Sequence, residues 1–244
     1  MADNAIVILE KVEKRFGSNT GLQGISMRIQ RGDFVILLGR NGAGKSSLLR
    51  VLAQLIRPYS GEVKVFGMDI RHNPESIREK IGFVAHNTLL YLHLTARENL
   101  RFYAKLYELN GADGEVQSAL KEAGLEFNAD RPVRGFSRGM QQRLAIARAT
   151  LHQPELLLLD EPFSGLDLEA AELLSERLQQ WVAAGRTIIM ATHALEQGLR
   201  DVTRWVLLEK GQIVEEFSGD VTSVRRHYRQ FLQGLSLAVP AHKI

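Results

Sequence analysis

The stretch GRNGAGKSS, residues 39–47, decides the fold of this chain of 244 residues. It has the spacing G-x-x-x-x-G-K-[ST], in which glycines permit a tight turn and backbone N–H groups converge on one anion beside a helix N-terminus. A continuous apolar run at 34–38 precedes it and predicts a buried parallel strand, while leucines at helical spacing follow it from Lys45 to about Leu55. Strand, glycine loop and helix are the context that this motif needs. We therefore predict that a nucleoside triphosphate is bound by consecutive loop residues: Gly39, Arg40, Asn41, Gly42, Ala43, Gly44, Lys45, Ser46 and Ser47.

A second apolar run, residues 156–159, ends in Asp160 and Glu161. Ligands of open α/β sheets lie at the carboxyl ends of the strands, so these two acids should face the glycine loop. A buried carboxylate needs a positive partner, and Mg²⁺ held by Asp160 and the Ser46 hydroxyl supplies one. Glu161 is then placed to orient and deprotonate the attacking water. The alternative is a solvated turn that Pro162 ends.

A third segment, FSRGMQQR at 136–143, is followed by the helical stretch LAIARA. Ser137 can cap this helix and leave its first N–H groups free to meet an anion. Together with the glycine loop and the acidic strand end, the segment resembles the signature sequence of the ATP-binding cassette (ABC) ATPases. The resemblance implies ATP and Mg²⁺ as cofactors. It also implies a homodimer or pseudo-dimer, in which the signature residues of one chain, Ser137, Gly139 and Met140, meet ATP held by the loop of the other.

Further positions match this family in the expected order. The sequence SGLD, which ends at Asp167, matches the loop that touches the opposite subunit. His193 follows an apolar strand, 187–191, and matches the histidine near the γ-phosphate. Phe16 falls where an aromatic ring stacks on adenine. Without the resemblance, His193 is more simply a structural histidine and Phe16 a core residue.

Three residues depart from the family pattern. His86 stands where the family has a glutamine near Mg²⁺, and imidazole is a poor direct ligand for a hard cation. We expect His86 to act through a water, or Asn87 to supply the amide oxygen; the alternative is that His86 only shapes the loop. Arg138 replaces a signature glycine and either contacts the triphosphate or points to solvent. Met140 replaces a common glutamine, which removes one polar contact.

The fold that the resemblance implies is α/β. It is a P-loop NTPase with an ABC-type nucleotide-binding core, an antiparallel β subdomain and an inserted helical subdomain. We expect residues 1–86 and 151–219 to form the core with its β subdomain, 87–150 the helical subdomain, and 220–244 a C-terminal helix and tail. The sequence TARE at 95–98 is a capping box that begins a helix. Short strands are predicted at 5–12, 25–30, 62–65 and 81–84.

Composition limits the classes of function. Apolar content of 45% and charged content of 24% are ordinary for a globular protein, and the absence of cysteine excludes disulfides and thiolate metal sites. A net charge of +3 is too small to argue for nucleic acid. A basic cluster at 225–229 either meets anionic lipid or forms a solvated helix face. No signal segment is visible and the apolar runs are too short to span a membrane.

These observations favour a transporter ATPase that works with a separate integral membrane permease, peripheral on the cytoplasmic face of the inner membrane. The segment 86–94 joins the two subdomains, and its residues Leu89, Leu90, Tyr91 and Leu92 either form a groove for the permease or pack inward. Two other classes are alternatives: an ABC ATPase of translation or DNA repair, and a nucleotide-kinase-type phosphotransferase. The latter leaves the signature and His193 without a role.

The sequence says less about the direction of transport and about the transported substrate than about the ATPase. His86, the sequence LTARENL at 94–100 and the signature SRGMQQR are similar to those of exporters. Among exporters they most resemble the haem exporter ATPase of cytochrome c maturation. Lipid, polysaccharide and drug exporters share much of this pattern, and the permease that selects the cargo is not in this chain.

Overall fold

The computed structural model describes residues 4–17, 19–192 and 199–233. Its strands are β1 (Ala5–Phe16), β2 (Asn19–Gln30), β3 (Phe34–Leu38), β4 (Ser60–Val65), β5 (Met68–Asp69), β6 (Ile81–Val84), β7 (Leu156–Asp160), β8 (Thr187–Ala191), β9 (Arg204–Glu209) and β10 (Gln212–Phe217). Its α-helices are α1 (Lys45–Leu52), α2 (Pro74–Arg78), α3 (Ala96–Leu106), α4 (Ala112–Glu122), α5 (Arg138–Thr150), α6 (Leu168–Ala183) and α7 (Val221–Leu232).

The larger sheet has six strands in the order β10-β9-β3-β8-β7-β6. Neighbours from β9 to β6 run parallel, and β10 pairs antiparallel with β9. Every residue of β3, β7 and β8 is buried, as expected of apolar runs in a parallel sheet covered on both faces. The carboxyl ends of β3, β6 and β7 therefore share one edge, which brings together the residues that follow them.

The smaller sheet has four strands in the order β2-β1-β4-β5, all antiparallel. β1 and β2 are longer than the predicted strands 5–12 and 25–30, because their pairing continues to Phe16 opposite Asn19. The added residues are mostly exposed, so they carry no alternating apolar pattern that the sequence could show.

The helices α3, α4 and α5 enclose a hydrophobic core of their own, with Leu100, Leu120 and Leu144 fully buried. The predicted capping box is present: the Thr95 hydroxyl accepts from the Glu98 N–H, and the Glu98 carboxylate accepts from the Thr95 N–H. The fold class is confirmed as an α/β nucleotide-binding core with an antiparallel sheet and a helical unit. No helix among the described residues is long and apolar enough to cross a membrane.

One boundary was wrong. The helix after the glycine loop was expected to reach Leu55, but α1 ends at Leu52. Gln54 adopts a left-handed φ of 57°, which stops the helix, and Leu55 is 56% exposed rather than part of the apolar face.

Candidate nucleotide site

The glycine loop between β3 and α1 is shaped by two close backbone approaches. Gly39 has φ 147°, and a Cβ there would lie 2.3 Å from the Leu208 carbonyl oxygen. Gly44 has φ 107°, and its Cβ would lie 2.8 Å from the Gly21 carbonyl oxygen. A side chain at either position would push the loop away from β9 or β2. The spacing of these glycines thus follows from contacts within the fold as well as from phosphate binding.

Lys45 lies across this loop. Its Nζ donates to the carbonyl oxygens of Gly39 at 2.7 Å and Arg40 at 3.2 Å, and the side chain is buried. Burial lowers the pKa of Lys45, and the nearby carboxylates of Glu161 and Asp160 oppose that change. A buried ammonium and two carboxylates therefore meet at the edge of the sheet, as predicted from strand order.

Asp160 ends β7 and is 1% exposed. The Ser46 hydroxyl donates to its Oδ1 at 2.9 Å, while Oδ2 is buried without a hydrogen-bond partner among the described residues. Burial raises the pKa of Asp160; the hydrogen bond from Ser46 and the charges of Arg50 and His86 oppose the rise. An unsatisfied carboxylate oxygen beside a hydroxyl is an oxygen pair suited to a hard divalent cation.

The donor set fits Mg²⁺ rather than a metal held by protein side chains alone. Within residues 4–17, 19–192 and 199–233 there is no group of three or more histidine, aspartate or glutamate side chains that could hold a metal ion. Mg²⁺ is commonly held by one or two carboxylates, with phosphate oxygens and waters completing its octahedron. Ser46 and Asp160 are the two oxygen donors that this site offers to such an ion.

Glu161 follows Asp160 in a left-handed turn with φ 53°, which is uncommon for a residue with a side chain. Its N–H donates to the Ala191 carbonyl oxygen at 2.9 Å, and its carbonyl accepts from the Ser164 N–H at 3.1 Å. These bonds hold the turn between the ends of β7 and β8. Strained backbone of this kind costs about 1–3 kcal/mol and clusters at functional sites.

The signature residues lie at the start of α5 and touch the turn after Glu161. The Ser137 hydroxyl accepts from the Met140 N–H at 3.2 Å, which confirms that Ser137 caps the helix. Arg138 is exposed but its guanidinium donates to the Ser164 hydroxyl at 3.0 Å, so it does not simply point to solvent. A Cβ at Gly139 would lie 3.0 Å from the Gly165 carbonyl oxygen.

The remaining predicted residues are placed as follows. Asp167 is exposed and caps α6, where its carboxylate accepts from the Ala170 N–H at 2.9 Å. Phe16 ends β1 and is 46% exposed, so it is not a core residue. Its ring lies over Gly21, where an added Cβ would be 2.6 Å away.

The other predicted site residues differ in their exposure to solvent. The exposed ones are Arg40, Asn41, Gly42, His86 and Asn87, whereas Ala43 is buried and Ser47 is half-buried. His193 lies outside the described residues.

Sequence reasoning missed the contact between α7 and the glycine loop. The Arg40 guanidinium donates to the Leu232 carbonyl oxygen at 2.6 Å. Tyr228 is 5% exposed; burial raises its pKa, and a hydrogen bond with the Gly39 backbone opposes the rise. The apolar spacing of Val224, Tyr228 and Phe231 is the signal that α7 is packed, although it does not reveal the neighbour.

A glycine loop beneath a buried lysine, with a hydroxyl and a carboxylate at the same sheet edge, defines a phosphate-loop nucleotide-binding protein. Residues 22–164 match the family model described as "ABC transporter", and the chain belongs to that family as an ATP-hydrolysing, ATP-binding subunit.

Two relatives and one solved structure illustrate the similarity. The chain is 35% identical over 193 residues to "ABC transporter ATP-binding protein NatA" of Bacillus subtilis, covering 78% of each. It is 36% identical over 214 residues to "Nod factor export ATP-binding protein I" of Burkholderia lata, covering 87% of this chain and 70% of the relative. It also superposes with TM-score 0.81 and 29% identity on a dimer of the ATP-binding cassette MJ0796 bound to ADP and Pi, covering 87% of this chain and 98% of that one.

The predicted class, an ABC transporter ATP-binding subunit, is confirmed by these matches. The narrower likeness to the haem exporter ATPase is not specifically supported, because the relatives above carry other names. Haem as cargo stays a prediction from the sequence.

Proposed function

We propose that this chain is the ATPase of an exporter. Two copies enclose two Mg-ATP and drive a separate integral membrane permease from the cytoplasmic face of the inner membrane. The observation that carries the Mg-ATP part of this proposal is the buried Asp160, with one oxygen bonded to Ser46 and the other without a partner among the described residues, beside a buried Lys45. The dimer of a similar cassette with ADP and Pi supports the paired arrangement, and a relative named for Nod factor export supports the direction.

The phosphates would lie on the N–H groups of the loop from Gly39 to Ser47, at the N-terminus of α1. Lys45 neutralises their oxygens once its own bonds to the loop carbonyls are exchanged for phosphate. Ser46 and Asp160 would hold Mg²⁺, which, when bound, neutralises charge that develops on the transferred phosphoryl group. Phe16, half-exposed at the end of β1, offers a ring face to adenine.

Glu161 is the general base in this proposal. Its left-handed turn fixes the residue at the edge of the sheet, and its charge acts on Lys45. His86 is among the groups that act electrostatically on Asp160. Imidazole is a poor direct ligand for a hard cation, so in this proposal His86 acts through a water. Asn87, the neighbouring amide, remains the alternative, and His193 is proposed to contact the γ-phosphate.

A metal-binding measurement tests directly whether Asp160 is a ligand of the metal ion. Asp160→Asn keeps the shape of the side chain and removes its charge. We expect Mn²⁺ affinity in the presence of ADP to fall at least about tenfold, while affinity for ADP alone changes little. The matched control is Asp113→Asn, an exposed aspartate whose contact is a surface ion pair with Arg101. Unchanged Mn²⁺ affinity in Asp160→Asn would contradict the assignment.

The second half of the site is proposed to come from a second copy. Ser137, Gly139 and Met140 lie at an exposed or half-buried helix N-terminus, and Asp167 is exposed nearby. The first N–H groups of α5 carry partial positive charge that suits a γ-phosphate. In a homodimer each chain would supply these groups to ATP held by the other.

The proposed permease contact is the exposed apolar patch formed by Leu89, Tyr91, Leu92 and Phe102. Each of these side chains is 44–48% exposed, and the rings of Tyr91 and Phe102 meet edge to face at 5.0 Å. Leu90 packs inward instead, against the core of the helical unit. Large apolar side chains gathered on a surface mark interaction sites. The patch lies at the segment that follows His86.

The docking proposal is tested by charge substitution. Tyr91→Lys should prevent co-sedimentation of the protein with membranes of its source cells, because a charge would be buried against the permease. Phe127→Lys is the matched control, since Phe127 is 93% exposed on the same helical unit but outside the patch. Equal membrane association of the two variants would rule the patch out as the docking surface.

Cargo can be tested without reconstitution. Haem export predicts that deletion of this chain abolishes covalently bound haem in c-type cytochromes, and that wild-type protein restores it while Glu161→Gln does not. Normal c-type cytochromes in the deletion strain would refute the haem assignment. The broader exporter proposal would then turn to lipid, polysaccharide or drug resistance phenotypes.

A further inference from the structure

β6 is the edge strand of the larger sheet and leads directly to His86. Its free edge is covered by α5 and the turn that follows. α5 also packs on the face of β6, so closely that a Cβ at Gly82 would lie 2.3 Å from the Ala149 carbonyl oxygen. Residues two apart on a strand direct their carbonyls the same way. The outward carbonyls of Ile81 and Phe83 therefore face the helical unit.

Both outward carbonyls are bonded by side chains of that unit. The His152 Nε2 lies 3.1 Å from the Ile81 carbonyl oxygen, and the Arg148 Nη2 donates to the Phe83 carbonyl oxygen at 2.7 Å. These side-chain bonds take the place of a further paired strand at the outer edge of β6. The position of β6 is thus tied to α5, whose first turn carries the signature.

Arg148, which bonds the edge of β6, is an unusual residue because it is a buried basic side chain. It is 8% exposed, its Nε is buried without a hydrogen-bond partner, and none of the ion pairs of the described residues involves it. Its guanidinium instead stacks on the Tyr103 ring at 5.0 Å. Desolvating a guanidinium without a carboxylate costs free energy that a cation–π contact offsets only in part. Among the described residues, the Arg148 guanidinium thus bonds the Phe83 carbonyl and contacts the Tyr103 ring.

Tyr103 contacts the backbone on the C-terminal side of His86. Its hydroxyl donates to the Leu89 carbonyl oxygen at 3.2 Å, and Leu89 adopts a left-handed φ of 54°. Phe83 and Leu89 flank the short segment 84–88. One stacked pair, Arg148 and Tyr103, therefore holds both ends of the segment that contains His86 and Asn87.

We propose that Arg148 and Tyr103 are positioning residues for ATP hydrolysis, which link His86 to the signature helix and to the exposed patch at Leu89. Any rotation of α3–α5 against the sheet moves the carbonyls of Phe83 and Leu89, and with them His86, because one pair of side chains holds both. The inference rests on the proposed function, in which His86 acts near the metal and the patch meets the permease.

The sharpest test is Tyr103→Phe, which removes only the bond to Leu89 and leaves the ring under Arg148. We expect kcat for ATP to fall about two- to tenfold, the effect of one hydrogen bond, while KM changes less than about twofold. Backbone amides at 84–92 should exchange faster with solvent. Tyr107→Phe is the matched control: the hydroxyl of Tyr107 makes no hydrogen bond among the described contacts, and its ring stacks on His152 at 3.9 Å.

Arg148→Met removes the charge at similar length. We expect a loss in kcat at least as large as that of Tyr103→Phe, measured per nucleotide-binding site so that unfolded protein is not counted. If this variant fails to fold, Tyr103→Phe decides alone. Wild-type kcat and wild-type amide exchange in Tyr103→Phe would overturn the inference, as would an equal effect in Tyr107→Phe. Failure of wild-type protein to hydrolyse ATP would instead overturn the proposed function.

Discussion

The glycine-loop side of the site and the signature side are built differently. On the first, Lys45 and Asp160 are buried and bonded to partners within the chain. On the second, Ser137 and Asp167 are exposed and their described hydrogen bonds only cap their own helices. One half is assembled in a single chain, whereas the other presents an exposed helix N-terminus. The difference agrees with the proposed dimer, in which the second half acts on a nucleotide held by the other copy.

The largest effect is expected from a change in Glu161, the proposed general base. Glu161→Gln removes the base but keeps the shape and the loop contacts, so kcat should fall about 10²- to 10⁴-fold while ATP affinity is retained. Phosphate release and light scattering measure the two consequences, loss of turnover and an ATP-dependent dimer. Glu172→Gln, an exposed glutamate on α6, is the control. A variant that turns over normally would remove Glu161 from its role.

The next largest effect should be confined to the glycine-loop half. Lys45→Ala removes the counter-charge of the phosphates, so ATP affinity should fall roughly 10- to 100-fold, as expected for a lost charge-assisted bond. A fluorescence titration of the isolated chain measures it. Lys64→Ala, a surface lysine of β4, should bind as wild type. Equal affinities for the two variants would show that the loop does not use its lysine.

A third change should affect only the signature half. Ser137→Asp keeps a good helix cap but adds a negative charge where an anion should approach, so turnover should fall at least about tenfold. Nucleotide affinity of the isolated chain and its melting temperature should stay at wild-type values. Turnover that is indifferent to this charge would refute the idea that α5 meets the phosphate of a second molecule.

The last effect is on stability rather than on activity, and it concerns the joint between the halves. Burial lowers the pKa of His152 to about 4, so the folded protein holds it neutral. The pKa is near 6.5 when unfolded. The unfolded state therefore binds the extra proton first, and stability is lost as pH falls from about 6.5 to about 4, by on the order of 2–3 kcal/mol. Urea unfolding at pH 7 and pH 5 measures this loss of stability. In His152→Gln the free energy of unfolding should differ less between the two pH values. A difference as large as that of the wild type would contradict the prediction.

One feature of each half could be predicted from the sequence. The contact of Ser46 with Asp160 follows from a motif and from the rule that parallel strands place their ends together. The signature cap follows from a serine before a helix. Local pattern was enough in both cases. The pairing of β1 with β2 beyond residue 12 was missed because exposed strand ends show no alternation.

Contacts between distant helices and the site could not be predicted at all. Tyr228 is far from Gly39 in sequence, and nothing in the pattern of α7 says which surface it covers. Arg148 belongs to an apolar helix where a basic residue suggests solvent exposure, yet it is buried against an aromatic ring. Such contacts depend on how whole elements pack, which no short window of sequence records.

The contact between α7 and the glycine loop has a practical consequence for the design of experiments with this protein. Leu232 accepts a hydrogen bond from Arg40, and Tyr228 hydrogen-bonds the backbone of Gly39, so α7 is bonded to the loop that is proposed to bind the phosphates. Truncating α7, or fusing a purification tag close behind it, should therefore change nucleotide affinity. Tags belong at the other end, and affinities measured with the two placements should be compared before either is used as a reference.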